Sequence, residues 1–392
     1  LISLLIQKIR LRISQPYFIF MPLHFTPYTL HLKTMLTFNH TCIGSSHLAS
    51  GKPCQDASFA GTIGDLHLAI VSDGHGGHPH PRSAIGAQFA VETAREIITT
   101  QMRDFTNPEY RLGIFDTLVT QWKLKVLKHF SENPLTLAEE ESLSLVIREI
   151  DAIGDFIFPL YGCTLMAACV HPDGWFAFQI GDGICVALRH DHQSPAYQPL
   201  PYDEKCFLYM TSSICDDNAV EEFRYAEGDK DSTPYAFFLG SDGIDNSFGV
   251  EAAWHNFYMD IIKLCSSRDS LMQELQDSLP KLSEKGSHDD MSIAAIVTPS
   301  ALPTAVPEIY QFQINQCIEL KAMQEQRLQE VEDDMVSLQA KLRCFPDDQF
   351  LQRDMAHLQV CFNQYQDALA RVTRRLARLQ QDFTSWPLNT KQ

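Results

Sequence analysis

Residues 36–299 predict an α+β fold in which antiparallel sheet faces are covered by helices, and residues 307–385 predict a helical hairpin. Three observations carry this expectation. Strand-like runs at 163–170, 174–180 and 184–189 follow one another too closely for crossover helices, so they should pair antiparallel. Helix-like blocks stand between the groups of strands, and a chain so ordered buries both by laying helices on sheet faces. From Leu328 onward, apolar residues recur in steps of three and four.

The elements follow in order. Residues 37–46, 57–63 and 66–71 read as strands; 83–102 reads as a helix whose small-residue face is Ala84, Ala87, Ala90, Val91 and Ala94. Segments 109–131 and 137–150 look helical, the three strands above follow, and 235–239 is a further strand. Residues 191–233 are polar and turn-rich and read as loop, a flap beside a site, with one short strand at 207–210. Helices are expected near 250–265 and 268–282, then a strand at 292–297. In the tail, Leu328, Val331, Met335, Leu338 and Leu342 form one apolar seam. After Pro346-Asp347-Asp348, a second runs through Leu351, Met355, Leu358, Phe362, Tyr365, Leu369, Val372, Leu376, Leu379 and Phe383. The hairpin is either a packing extension and homodimer contact or a docking arm for a partner.

Bulk properties exclude several classes. The 392 residues carry a formal charge of -18, which disfavours nonspecific nucleic-acid binding. No apolar run approaches the roughly 20 residues that span a bilayer. Eleven cysteines are scattered without CxxC pairs, as expected of buried reduced thiols in a cytoplasmic protein rather than a zinc site. Residues 1–34 lack any acidic residue and carry Lys8, Arg10, Arg12 and Lys33; they read as an upstream extension or disordered leader before Met35, the alternative being an interfacial membrane anchor.

The chemistry sits in five short turns: Gln55-Asp56, Asp73-Gly74-His75-Gly76-Gly77, Gly181-Asp182-Gly183, Ser241-Asp242-Gly243 and Asp289-Asp290-Met291-Ser292. Three of these end an apolar strand and the last begins one. Carboxylates beside glycine at strand ends suit a hard divalent cation, because glycine lets the backbone turn tightly and come close. Singly, each is an ordinary turn or cap residue; Asp182 in particular reads equally as a hairpin turn. Gly162-Cys163-Thr164 reads as a close backbone approach beneath the site. His75, His78 and His80 could hold a softer metal, but Pro79 and Pro81 favour an extended loop.

The ordered series QDA, DGHGG, GCT, GD, SDG and DDMS resembles the metal-dependent type 2C protein Ser/Thr phosphatases, most closely bacterial members whose first motif reads QDA. The resemblance covers about 38–298. It implies a four-layer α-β-β-α sandwich of two antiparallel sheets flanked by helices, in a domain spanning 35–300, with a binuclear Mg2+ or Mn2+ site at one end. It also implies roles: Asp73 bridging two ions, the Gly74 carbonyl on one, Asp242 and Asp289 completing a shell, Asp56 holding water, Asp182 at a third, looser position, and His75 protonating the leaving alkoxide. Phosphorylated protein substrates and a cognate Ser/Thr kinase are the implied partners. The chemistry agrees: a phosphomonoester dianion resists water until its charge is neutralised, and an imidazole can protonate the departing alkoxide.

The departures are specific. Gln55 stands where a glutamate holds metal-bound water in better-known members, so one ion should bind more weakly. Gly51 replaces a phosphate-clamping arginine, leaving Lys52, Arg82 or His47 to substitute. Asn246 replaces an expected aspartate, with Asp245 one residue early. The rival readings are a catalytically weak phosphatase-like binding module and a small-molecule phosphomonoesterase.

Overall fold

A computed structural model of the protein describes residues 35–101, 107–143, 157–201, 203 and 211–389. It divides into a unit of residues 1–189 and 196–302 and a unit of residues 190–195 and 303–392.

The first unit runs β1 (Leu36–Cys42), α1 (Ser45–Ser50), β2 (Ala57–Ile63), β3 (Leu66–Ser72), α2 (Ser83–Gln101), α3 (Pro108–Glu132) and α4 (Leu137–Leu143). It continues with β4 (Leu165–His171), β5 (Gly174–Ile180), β6 (Ile184–Leu188), β7 (Ala196–Tyr197), α5 (Ala219–Glu222), β8 (Arg224–Asp229) and β9 (Ala236–Gly240). It closes with α6 (Asp242–Asp245), α7 (Glu251–Leu264), α8 (Arg268–Lys285) and β10 (Met291–Val297). Two five-stranded sheets result, in the orders β1-β10-β9-β6-β7 and β2-β3-β4-β5-β8, with every neighbouring pair antiparallel.

Alternation within strands builds two cores at once. Leu68 and Ile70 of β3 face α2 and α3, where Ala87, Ala90, Ala94, Phe115, Leu118 and Trp122 are buried. Ala69 and Val71 face the other sheet and meet Met166, Ala168, Ala177, Phe237, Leu239 and Ala294. Both faces are buried, so from Leu68 to Val71 the strand reads as a continuous apolar run, and each large side chain buried this way contributes roughly 1.5–3 kcal/mol. Beyond the other sheet, Phe238 meets Phe38 edge to face and the tilted ring of Tyr258 of α7, at 6.3 and 5.4 Å between ring centres. Gly86 of α2 admits no side chain, because a Cβ there would sit 1.8 Å from the Tyr161 carbonyl oxygen.

The expected four-layer sandwich is present. The first strand stops at Cys42 rather than 46, since residues 45–50 turn into α1. Inside the segment expected to be loop lies β8, an edge strand whose sequence RYAEGD is half-exposed and carries no apolar alternation. The strand expected at 207–210 and the leader at 1–34 lie outside the described residues, as does the expected helix beyond Leu143.

In the second unit, α9 (Leu302–Cys344) and α10 (Gln349–Asn389) are the long helices, with Asp348 capping the start of α10 through Phe350 N at 2.9 Å. Seam residues such as Leu328, Met335, Leu358 and Leu369 are half-buried, and Leu379 is buried. Tyr310 stacks on Phe383. No helix among the described residues is long and apolar enough to cross a membrane. All ten described cysteines are free thiols.

Candidate active site

Strand register gathers the five turns. Ala57 pairs with Ser72, so Asp56 and Asp73 emerge side by side. Ile293 pairs with Gly240, which sets Asp242 beside the Asp289–Asp290 turn. Leu165 pairs with Ile180, which brings Thr164 and the Asp182 turn to the same end of the sandwich. Gly162-Cys163-Thr164 then clamps the central turn. Thr164 N donates to the Asp73 carbonyl at 2.8 Å, Asp73 N to Thr164 Oγ1 at 3.0 Å, and His75 N to the Gly162 carbonyl at 3.1 Å. Gly74 is required there, because a Cβ would lie 2.6 Å from the Gln55 carbonyl oxygen.

The acids crowd one another. Asp56 is 9% exposed, Asp73 and Asp242 are half-buried, and Asp289 and Asp182 are exposed at the rim. Burial first, then the carboxylates of Asp56, Asp242 and Asp289, push the Asp73 carboxyl well above the usual carboxylate range. Asp242 is raised by burial and then by Asp182 and Asp289, although its contact with Asp73 offsets part of this. Asp56 is raised by burial and by Asp290 and Asp242, and the nearby Ser241 and Ser292 hydroxyls moderate the shift. Neither Asp56 oxygen makes a hydrogen bond among the described residues, and Gln55 Oε1 is likewise buried without a partner. Gln55 Nε2 is turned away onto Ser83 Oγ at 2.6 Å.

Orphaned acceptors and mutually repelling carboxylates are what a cation site leaves when protein atoms alone are counted. The residues fit divalent metal. The tightest grouping of metal-binding side chains among the described residues is nevertheless His47, Asp289 and Asp290, whose atoms lie within 4.8 Å of one another. There Asp290 is already engaged: Oδ1 accepts from Gly44 N at 2.6 Å, and Oδ2 from Gln55 N at 2.6 Å and His47 Nδ1 at 3.0 Å. Its own backbone N–H donates to Asp289 Oδ1 at 2.8 Å, so Asp290 anchors the turn that presents Asp289.

Other expected residues lie elsewhere or act differently. Arg82 is not available to a phosphate. Its five N–H groups donate to both Glu139 oxygens, the Asn133 and Pro134 carbonyls and the Tyr161 hydroxyl, and it is 6% exposed. Lys52 is exposed just after Gly51, which takes φ 70°. His75 Nε2 meets Ser213 Oγ at 2.8 Å, and burial, then His80, lowers its pKa to about 4. His80 Nδ1 donates to the Pro159 carbonyl and His78 is exposed, so the three histidines form no common ligand set. Asn246 Nδ2 donates to Asp242 Oδ2 at 3.0 Å; the Asp245 carboxyl is pushed up to about 8 by burial, then by Asp242. The sequence reading missed Asp290 and Ser213. The doubled Asp289-Asp290 was the available signal for the first; Ser213 carried none.

The protein phosphatase 2C family model matches residues 43–280, more than half of the 392. The chain belongs to the protein phosphatase 2C family. Its enzymatic class is accordingly metal-dependent hydrolysis of phosphoserine and phosphothreonine in proteins. Similar solved structures include the catalytic domain of serine threonine protein phosphatase PstP in complex with 2 manganese ions. That chain is 14% identical at a TM-score of 0.43, with 67% of this chain and 98% of that chain covered. PppA, described as a key regulatory component of T6SS in Pseudomonas aeruginosa, is 17% identical at 0.42, with 67% and 97% covered. A bacterial serine phosphatase is 14% identical at 0.43, again with 67% and 97% covered. Comparison with curated proteins gives no match. In this phosphatase 2C domain, four of the five acidic turns fall within the matched span, and the Asp289-Asp290-Met291-Ser292 turn lies just past its end.

Proposed function

We propose that the acidic cleft hydrolyses phosphoserine and phosphothreonine esters with water activated at two divalent cations, Mg2+ or Mn2+. The observation that carries this is the set of unpartnered buried acceptors, both Asp56 oxygens and Gln55 Oε1, beside carboxyls that repel one another. Asp73, the Gly74 carbonyl, Asp242 and Asp289 would hold the cations, with Asp182 offering a third, looser position. Bound there, the cations would neutralise the phosphate dianion and make water acidic enough to attack in line.

The chain's own groups supply the rest. Asp56 and Gln55 Oε1 accept hydrogens from water and orient it. Ser213 Oγ, whose hydrogen points to the Cys163 carbonyl at 3.1 Å, accepts from His75 Nε2, so Nδ1 is the atom that would carry a second proton to the leaving oxygen. Burial keeps His75 neutral at pH 7, and an approaching phosphate dianion favours its protonated form. Lys52, with its ammonium in solvent, remains as a phosphate contact, whereas Arg82 serves the scaffold. Residues 35–300 form the catalytic domain and 307–385 a separate hairpin module. The substrates are phosphoproteins made by a Ser/Thr kinase in the cytoplasm.

Phosphate release from a phosphothreonine peptide, with and without Mn2+, tests this. Asp242→Ala should lower metal-dependent turnover at least about 100-fold. Turnover independent of Mn2+, or unchanged in Asp242→Ala, would contradict the reading.

A further inference from the structure

Arg371, Arg374, Arg375 and Arg378 stand on α10 at i, i+3, i+4 and i+7, which puts all four on one helix face. All four are exposed, and the seam residues Val372, Leu376 and Leu379 lie on another face of the same helix. Arg371, Arg374 and Arg375 make no ion pair with any described residue. Arg378 alone has a partner, Asp382 at 3.6 Å, itself partly exposed. A protein of net charge -18 thus carries four guanidinium groups within eight residues, three of them with no ion-pair partner among the described residues.

We infer that this stripe docks a phosphorylated protein segment bearing two closely spaced phosphates. The choice of partner rests on the phosphoprotein phosphatase reading above. All four cations are arginine and none is lysine, which suits bidentate recognition of phosphate oxygens rather than diffuse attraction. At 1.5 Å per residue the stripe is about 10 Å long. An extended peptide rises about 3.3 Å per residue, so phosphates two to four residues apart match it. A long anionic polymer or an anionic membrane would also meet the repulsion of the remaining acidic surface. A short segment would not, because that repulsion is screened beyond about 8 Å at physiological salt.

The test uses the full chain with EDTA, so that nothing is turned over. Fluorescence anisotropy measures binding of labelled β-casein, multiply phosphorylated or enzymatically dephosphorylated. The phosphorylated form should bind at least about 10-fold more tightly, falling by more than one further decade per decade of salt. The quadruple variant Arg371→Glu, Arg374→Glu, Arg375→Glu, Arg378→Glu should lose that preference, and the corresponding four Arg→Gln changes should give an intermediate affinity. Circular dichroism should show both variants folded, and p-nitrophenyl phosphate turnover with Mn2+ should match wild type. Equal affinity of the Glu variant for phosphorylated casein would overturn the inference. So would tighter binding to duplex RNA or phosphatidylserine vesicles than to phosphorylated casein, or an arginine-dependent self-association with casein binding unchanged. An inactive protein that still discriminates the two caseins through these arginines would sink the phosphatase reading and leave the docking surface standing.

Discussion

Asp290 Oδ2 accepts the backbone N–H of Gln55 at 2.6 Å, across 235 residues of sequence. With Gly44 N on Oδ1 and His47 Nδ1 on Oδ2, this one carboxylate ties the start of the domain to its last strand. It does so directly beneath Gln55-Asp56 and Asp289, the residues that would face cations. Removing it should therefore disturb stability and metal binding together. Asp290→Ala leaves two buried backbone donors unpaired and should cost about 2–5 kcal/mol, while Asp290→Asn keeps one acceptor and should cost less. Urea unfolding measures the first effect and Mn2+ titration the second; Mn2+ affinity unchanged in a folded Asp290→Ala protein would refute the anchoring role.

Gln55→Glu should tighten Mn2+ binding. The added charge lies beside acceptors that already lack partners, and Ser83 Oγ can donate to a carboxylate where it now accepts from the amide. An affinity gain of about 10-fold is expected by calorimetry, and an unchanged or weaker affinity would place position 55 outside the cation site.

His75→Asn should act through the leaving group. Loss of a general acid lowers turnover by about 100- to 10,000-fold where the leaving alkoxide needs a proton. The loss should be much smaller with p-nitrophenyl phosphate, whose leaving group departs as a stable anion. Equal losses on both substrates would assign His75 a structural role through Ser213 and His80 instead.

Arg82 and Glu139 should govern acid stability. Arg82's hydrogen bonds come first among the causes that lower the Glu139 carboxyl to about 2 from its usual 4.5. A group depressed on folding stabilises the native state fully above its unfolded pKa, and that contribution is lost as pH falls from about 4.5 to 2. Glu139→Gln should flatten the stability profile across that window, measured by urea midpoints at successive pH values. The pair is partly open to water, so its whole contribution should stay within about 1–3 kcal/mol. A wild-type steepness in the variant would show that other carboxylates set the acid limb.

What the sequence disclosed depended on how local the physics is. β3, β4 and β5 were legible because both faces are buried, so their residues are mostly apolar on both faces. The acidic turns were legible because they are short and repeat one chemistry. β8 was not, since a half-exposed edge strand with Glu227 and Gly228 carries no period, and only its pairing with β5 makes it a strand. Arg82 was misjudged for a related reason. Nothing near it in sequence reveals that Glu139, 57 residues on, and three carbonyl or hydroxyl oxygens engage every donor it has. Asp290 was overlooked because its partners lie more than 230 residues away.

Anomalous scattering from crystals grown with Mn2+ tests the central claim most directly. Two manganese peaks should appear among the carboxylates of Asp73, Asp242 and Asp289, with Asp56 and Gln55 Oε1 facing the solvent between them. A well-ordered cleft with no manganese among those three carboxylates, at saturating Mn2+, would contradict the account.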